Sequence, residues 1–204
     1  MTAVPLTFAA IDFETANPSS ASACAVGVVV VDEDRVVERV GWPIRPPAGH
    51  DLFTDWNIRI HGITWDDVVD APGWAEQVED LVALVGDRPI VAHNARFDVG
   101  VIRAACAVTG SALPPFDYFC SLAIARRTYA LDSYRLPMVA DAVGFGRFRH
   151  HDALADAEAC AAIVLHAADR HGAETVTTLL DAVGSRLATV EPADAQVLRP
   201  IVFA

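Results

Sequence analysis

The chain opens with an apolar, partly β-branched run from Leu6 to Phe13 that ends in Asp12-Phe13-Glu14. An apolar run of this length beside turn residues predicts a buried strand. Cys24 to Val31 repeats the pattern, Asp32-Glu33-Asp34 is an acidic turn, and Arg35 to Trp42 returns as a third strand. The three together predict a meander of hairpin-linked strands. Pro43 to Asp55, with three prolines and a glycine, predicts loop.

The period then lengthens. Trp74 to Val85 repeats its apolar positions every three to four residues and stops at Gly86, which predicts a capped helix. Pro89 to Ala92 is a short buried strand leading into His93-Asn94. Ala95 to Val108 is helical and closes at Gly110, and Phe116 to Cys120 fits a fifth strand. Ser121 to Tyr129, Leu136 to Val143, Asp152 to Arg170 and Thr175 to Leu187 all carry helical spacing, and Glu191 to Ala204 is an irregular tail with two prolines. Strands first and strand–helix units afterwards predict an α/β domain with a mixed sheet and helices on its faces, over residues 1–190, followed by a tail, 191–204.

Composition narrows the classes. With 204 residues, 53% of them hydrophobic, the chain can bury a real core as one domain. The net charge of -12 excludes a protein that grips nucleic acid through a globally basic surface. Any phosphate must be met by local arginines or bound cations. All 15 basic residues are arginine, and five of them (Arg126, Arg127, Arg135, Arg147, Arg149) lie between Ser121 and His150 against two aspartates. That stretch is either a phosphate guide or a solvated helix face. Cys24, Cys106, Cys120 and Cys160 form no Cys-x-x-Cys pair and sit among apolar residues, as reduced buried thiols do. The longest apolar run, Ala23 to Val31, is too short to span a bilayer. The expectation is a soluble, cytoplasmic protein with no membrane contact.

Acidic residues carry the chemistry. Asp12 and Glu14 are two apart at a strand end, so the pleat puts both carboxylates on one side of the sheet. Two bare carboxylates there repel each other, and a divalent cation relieves the repulsion. Asp98 follows a strand end by one helical turn, and Asn94 suits a helix cap. His151 and Asp156 straddle a helix start, with Asp152 as the N-cap or a first-turn acid. Spacing alone leaves Asp152 and Asp156, and likewise His150 and His151, as alternatives. Carboxylates with a histidine beside them suit metal-assisted phosphodiester hydrolysis.

Three segments in this order resemble the DnaQ-like, DEDD-type 3′-5′ exonucleases, the family of the exonuclease (epsilon) subunit of bacterial DNA polymerase III. Asp12-Phe13-Glu14-Thr15 resembles their first motif, His93-Asn94-Ala95-Arg96-Phe97-Asp98 their second, and His151 with Asp156 the third motif of the histidine subgroup. Ile60-His61-Gly62-Ile63-Thr64 is similar to a segment of polymerase-associated members. The resemblance spans roughly residues 6 to 170. It implies a ribonuclease-H-like fold with a five-stranded mixed sheet and two divalent cations, Mg²⁺ or Mn²⁺. Asp12 would bridge the ions, Glu14, Asp98 and Asp156 would complete the shell, and His151 would act as general base. The family pattern thereby prefers Asp156 over Asp152 and His151 over His150. Thr15, His61, Asn94 and Phe97 would line the terminal-nucleotide pocket.

The implied substrate is the 3′ end of single-stranded DNA or RNA, released as nucleoside 5′-monophosphates. RNA trimming and short-oligonucleotide degradation are alternatives within the family. A non-catalytic nucleic-acid-binding module on this fold is the alternative from another class. Such a module would be expected to lack at least one of the five residues, and all five are present. The apolar segment Gln196 to Phe203 could dock on a DNA polymerase or sliding clamp.

Overall fold

A computed structural model describes residues 5–192. Its strands are β1 (Phe8–Thr15), β2 (Ala23–Asp32), β3 (Arg35–Pro43), β4 (Ile90–Ala92), β5 (Phe116–Cys120) and β6 (Ala188–Val190). Its helices are α1 (Asp55–His61), α2 (Trp65–Val68), α3 (Trp74–Val85), α4 (Arg96–Thr109), α5 (Ser121–Thr128), α6 (Leu136–Ala142), α7 (Ala153–His171) and α8 (Val176–Ala182). The strands form one mixed sheet in the order β3-β2-β1-β4-β5-β6. β1, β2 and β3 are the antiparallel meander, while β4 runs parallel to β1 and β5 parallel to β4.

The architecture is the expected α/β layer structure, with one strand more than the five expected. β6 covers only three residues and pairs antiparallel with β5, so it adds an edge too short to leave a periodic signal. The helix expected over Thr175–Leu187 stops at Ala182 to let the chain turn back to that edge. Two short helices, α1 and α2, lie where the residues carry no periodic signal. Each is a few residues long and owes its start to a local cap. The Thr54 hydroxyl accepts from Asn57 N, and the Asp67 carboxylate accepts from Thr64 N.

Alternation along β1 divides the core. Ala9, Ile11 and Phe13 pack on the face covered by α3 and α4, where Phe13 meets Trp74 with ring centroids 5.8 Å apart. Phe8 and Ala10 pack on the other face, against α5, α7 and α8. The next even positions, Asp12 and Glu14, therefore face α7. Among the cysteines, Cys120 is half-buried while the other three are fully buried, and all four are free thiols. Among the described residues no helix is long and apolar enough to cross a membrane. The tail segment Gln196 to Phe203 lies outside the described residues.

Candidate active site

The site lies where the ends of β1 and β4 meet the N-termini of α4 and α7. Asp12 and Glu14 come from the end of β1. Asp98 stands in the first turn of α4 and is 2% exposed. β4 ends at Ala92, so β1 outruns its parallel partner and Phe13 N has no strand carbonyl to meet. Asp98 Oδ1 accepts that hydrogen bond at 3.2 Å. One contact thus satisfies a buried donor and aims the carboxylate at the end of β1.

Asp156 arrives on α7. Asp152 caps this helix, its Oδ1 accepting from Ala155 N at 3.2 Å, which leaves Asp156 in the first turn and buried. The first turn of α7 sits directly on β2 because position 27 is glycine. A Cβ there would lie 2.2 Å from the Ala153 carbonyl oxygen, closer than any contact allows. Gly27 pairs with Asp12 across β1–β2 and with Gly41 across β2–β3. A track free of side chains therefore leads α7 up to Asp12. Sequence reasoning passed over Gly27, although a lone glycine inside an apolar strand is a signal of close backbone approach.

The carboxylate oxygens of Asp12, Glu14 and Asp156 lie within 4.8 Å of one another. Burial, then the charges of Asp98, Asp156 and Glu14, hold Asp12 far above the usual carboxylate range. Burial and the charges of Asp156, Asp98 and Asp152 push Glu14 up to about 8. Burial raises Asp98 to about 8 despite the hydrogen bonds its carboxylate receives. Hard oxygen donors so crowded fit divalent cations, whose charge would remove the repulsion.

The two histidines ahead of α7 part company. Their rings stack at 3.8 Å, but His150 Nδ1 contacts Asp156 at 2.9 Å, whereas His151 Nδ1 faces Glu14 Oε1 at 3.6 Å. His151 adopts φ 67°, and its backbone N–H donates to Asp156 Oδ2. Non-glycine residues rarely hold that conformation, so the turn is held by its surroundings. Burial and the His150 charge lower the His151 pKa. Both histidines are thus next to the carboxylates, and geometry alone does not select one.

The expected pocket residues divide. Phe97 is 43% exposed at the start of α4, so it is a surface ring rather than core packing. Asn94 is exposed with φ 76°, and the helix cap expected there is taken by Ala95 instead. Thr15 is buried, and its carbonyl accepts from Asn57 Nδ2 and His61 Nε2 at 2.8 and 3.2 Å. His61 Nδ1 accepts from Ile63 N, so both ring nitrogens are occupied by backbone. His61 thereby ties α1 to the residue after Glu14. A cleft of about 370 Å³ adjoins these groups, lined by Trp42, His61, Arg149, His151, Asp152 and Leu154 among others. A larger concavity of about 540 Å³, around Leu6, Asp34 and Asp169, holds none of the motif residues. Of the arginine stretch, Arg127 is committed to the carbonyls of Val183 and Gly184 beyond α8, and Arg149 reaches the His61 carbonyl at the cleft.

A mixed sheet whose first five strands run in the order β3-β2-β1-β4-β5, with helices on both faces and carboxylates gathered at its strand ends, is the ribonuclease-H-like arrangement. The chain belongs to the exonuclease family whose model, RNase T, matches residues 9–164, and its three motifs place it with the DnaQ-like, DEDD-type members. It is similar to the DNA polymerase III PolC-type of Thermotoga maritima, 30% identical over 161 residues, a match covering 78% of this chain and 12% of that protein. The Bacillus subtilis PolC-type polymerase is 32% identical over 113 residues, covering 53% of this chain and 8% of the polymerase. The chain therefore spans about an eighth or less of the length of these relatives. Among solved structures it resembles exonuclease X bound to 5′-overhanging duplex DNA, with TM-score 0.67 and 24% identity over 87% of this chain and 99% of that one. It also resembles the nuclease domain of 3′hExo, a DEDDh family member bound to rAMP, with TM-score 0.68 and 18% identity over 90% and 96% of the two chains. At these identities the likeness is one of fold.

Proposed function

We propose that residues 1–190 form a metal-dependent 3′-5′ exonuclease domain that removes nucleoside 5′-monophosphates from the 3′ end of single-stranded DNA or RNA. The observation carrying this reading is the convergence of Asp12, Glu14, Asp98 and Asp156 from three separate elements, with His151 against Glu14. Structural neighbours bound to DNA and to rAMP support nucleic acid as the substrate.

Asp12, Glu14, Asp98 and Asp156 would hold two divalent cations, Mg²⁺ or Mn²⁺. When bound, such ions lower the pKa of water and stabilise the leaving 3′ oxygen. The chain's own groups do the rest. Phe13 N and His151 N orient the carboxylates of Asp98 and Asp156 through hydrogen bonds. Neutral His151, its Nδ1 turned to Glu14, takes the proton of the attacking water at Nε2. Its lowered pKa keeps it neutral at physiological pH. Thr15, Asn94 and Phe97 line the terminal-nucleotide site, and His61 fixes Thr15 through its carbonyl.

The test uses 5′-labelled single-stranded DNA and RNA of matched sequence with Mg²⁺ or Mn²⁺, comparing wild type and His151→Ala on a sequencing gel. A one-nucleotide ladder from the 3′ end, absent in the variant, is expected. A folded wild type that makes no ladder on either polymer would direct attention to short oligonucleotides or to a binding role. The match to part of a PolC-type polymerase supports a polymerase partner, which co-purification with a replicative polymerase would test.

A further inference from the structure

α1 carries a feature that the catalytic cluster does not use. Its Trp56 is 67% exposed, although a soluble domain buries or half-buries most tryptophans, as this chain does with Trp42 and Trp74. Ile60, one turn on, is 37% exposed on the same face. The Arg59 guanidinium lies 5.8 Å from the Trp56 ring centroid. The neighbouring side of α1 is fixed: Asn57 and His61 both donate to the Thr15 carbonyl, and Thr54 N donates to the Ala16 carbonyl. A seven-residue helix is only about 10 Å long. α1, tied to the Thr15 carbonyl, therefore keeps Trp56 near the end of β1 that carries Glu14. Arg149 further links α1 to the histidine loop through the His61 carbonyl.

Charge decides what such a face is for. At -12 the chain repels a polyanion, and Arg127 is already committed to helix carbonyls. A contact that does not depend on charge would then share the grip on a strand with the few arginines near the cleft, such as Arg149. An exposed indole with a guanidinium beside it suits an unpaired base and its phosphate, because stacking does not depend on net charge. Resting on the exonuclease reading, we propose that Trp56 is a base-stacking platform for an unpaired nucleotide upstream of the scissile bond.

The experiment compares wild type, Trp56→Ala and Trp56→Phe on two substrates: a single-stranded decanucleotide, and the p-nitrophenyl ester of thymidine 5′-monophosphate, which has no upstream base. Trp56→Ala is expected to lower kcat/KM about tenfold or more on the decanucleotide and to leave the ester rate unchanged, with Trp56→Phe recovering most of the loss. Oligonucleotide KM should change less than about tenfold between about 50 and 200 mM salt, because few phosphates are contacted. Equal loss on both substrates, no loss on either, or a thousandfold salt effect would overturn the platform. A wild type that hydrolyses neither substrate would instead overturn the exonuclease reading itself.

Discussion

Gly27 lies opposite Asp12 in the β1–β2 ladder, and its missing side chain is the space that the Ala153 carbonyl of α7 occupies. The Asp12 carboxylate on the strand and the Asp156 carboxylate on the helix are brought together by an absence. Gly27→Ala should push the start of α7 away from the sheet at a cost of about 1–3 kcal/mol. Activity should fall much further than stability, because Asp156 and His151 both ride on that turn. Thermal unfolding, the exonuclease ladder and Mn²⁺ titration on one sample would check this; a variant with wild-type rate would break the link between Gly27 and the site.

Asp98 allows charge to be separated from geometry. Asp98→Asn retains an oxygen to accept from Phe13 N, whereas Asp98→Ala leaves that buried donor without its partner. The asparagine variant should fold at least as well as metal-free wild type at pH 8, since it removes one crowded acid. The alanine variant should lose about 1–3 kcal/mol. Both should lose most activity, and urea unfolding set beside single-turnover rates would distinguish them.

The raised carboxylates give the metal-free protein an inverted pH response. Glu14 and Asp98, near 8 when folded, bind more protons in the native chain than in the unfolded chain between about pH 4 and 8. Stability must then fall as pH rises through that window. Unfolding temperature in chelator should drop from pH 5 to pH 9, and added Mg²⁺ or Mn²⁺ should restore most of the loss at the upper end. A flat profile in chelator would show that the four acids are not crowded as described.

His150 and His151 should separate by kinetics. His151→Ala should reduce the rate by about 10²–10⁴-fold, the usual worth of a positioned general base. His150→Ala should cost less, since its contact is to Asp156. The acid limb of kcat/KM should fall below the ordinary histidine value of about 6.5, because burial lowers the His151 pKa and the base works when neutral. A His151→Ala profile that keeps this limb would transfer the role to His150.

The motif residues stood out in the sequence because few groups other than carboxylates suit a hard cation, and the structure gathers Asp12, Glu14 and Asp156 within 4.8 Å of one another. The meander was legible because β1 and β2 are long apolar runs. β6 was not, since three residues carry no period. α1 was not, since its start depends on the Thr54 cap and its position on Asn57 and His61 reaching Thr15, contacts between segments far apart in sequence. The surface position of Phe97 was equally invisible, because an aromatic on an amphipathic helix reads the same whether its side is covered or open.

Asp12 belongs to the first strand and Asp156 to the seventh helix, and the cluster is incomplete until both have docked. During synthesis, a growing chain that has not yet released α7 from the ribosome holds Asp12, Glu14 and Asp98 but no complete site. Synthesis thus places the last carboxylate of the proposed site on the last long helix to be made, and the set closes only when that helix docks on β1 and β2.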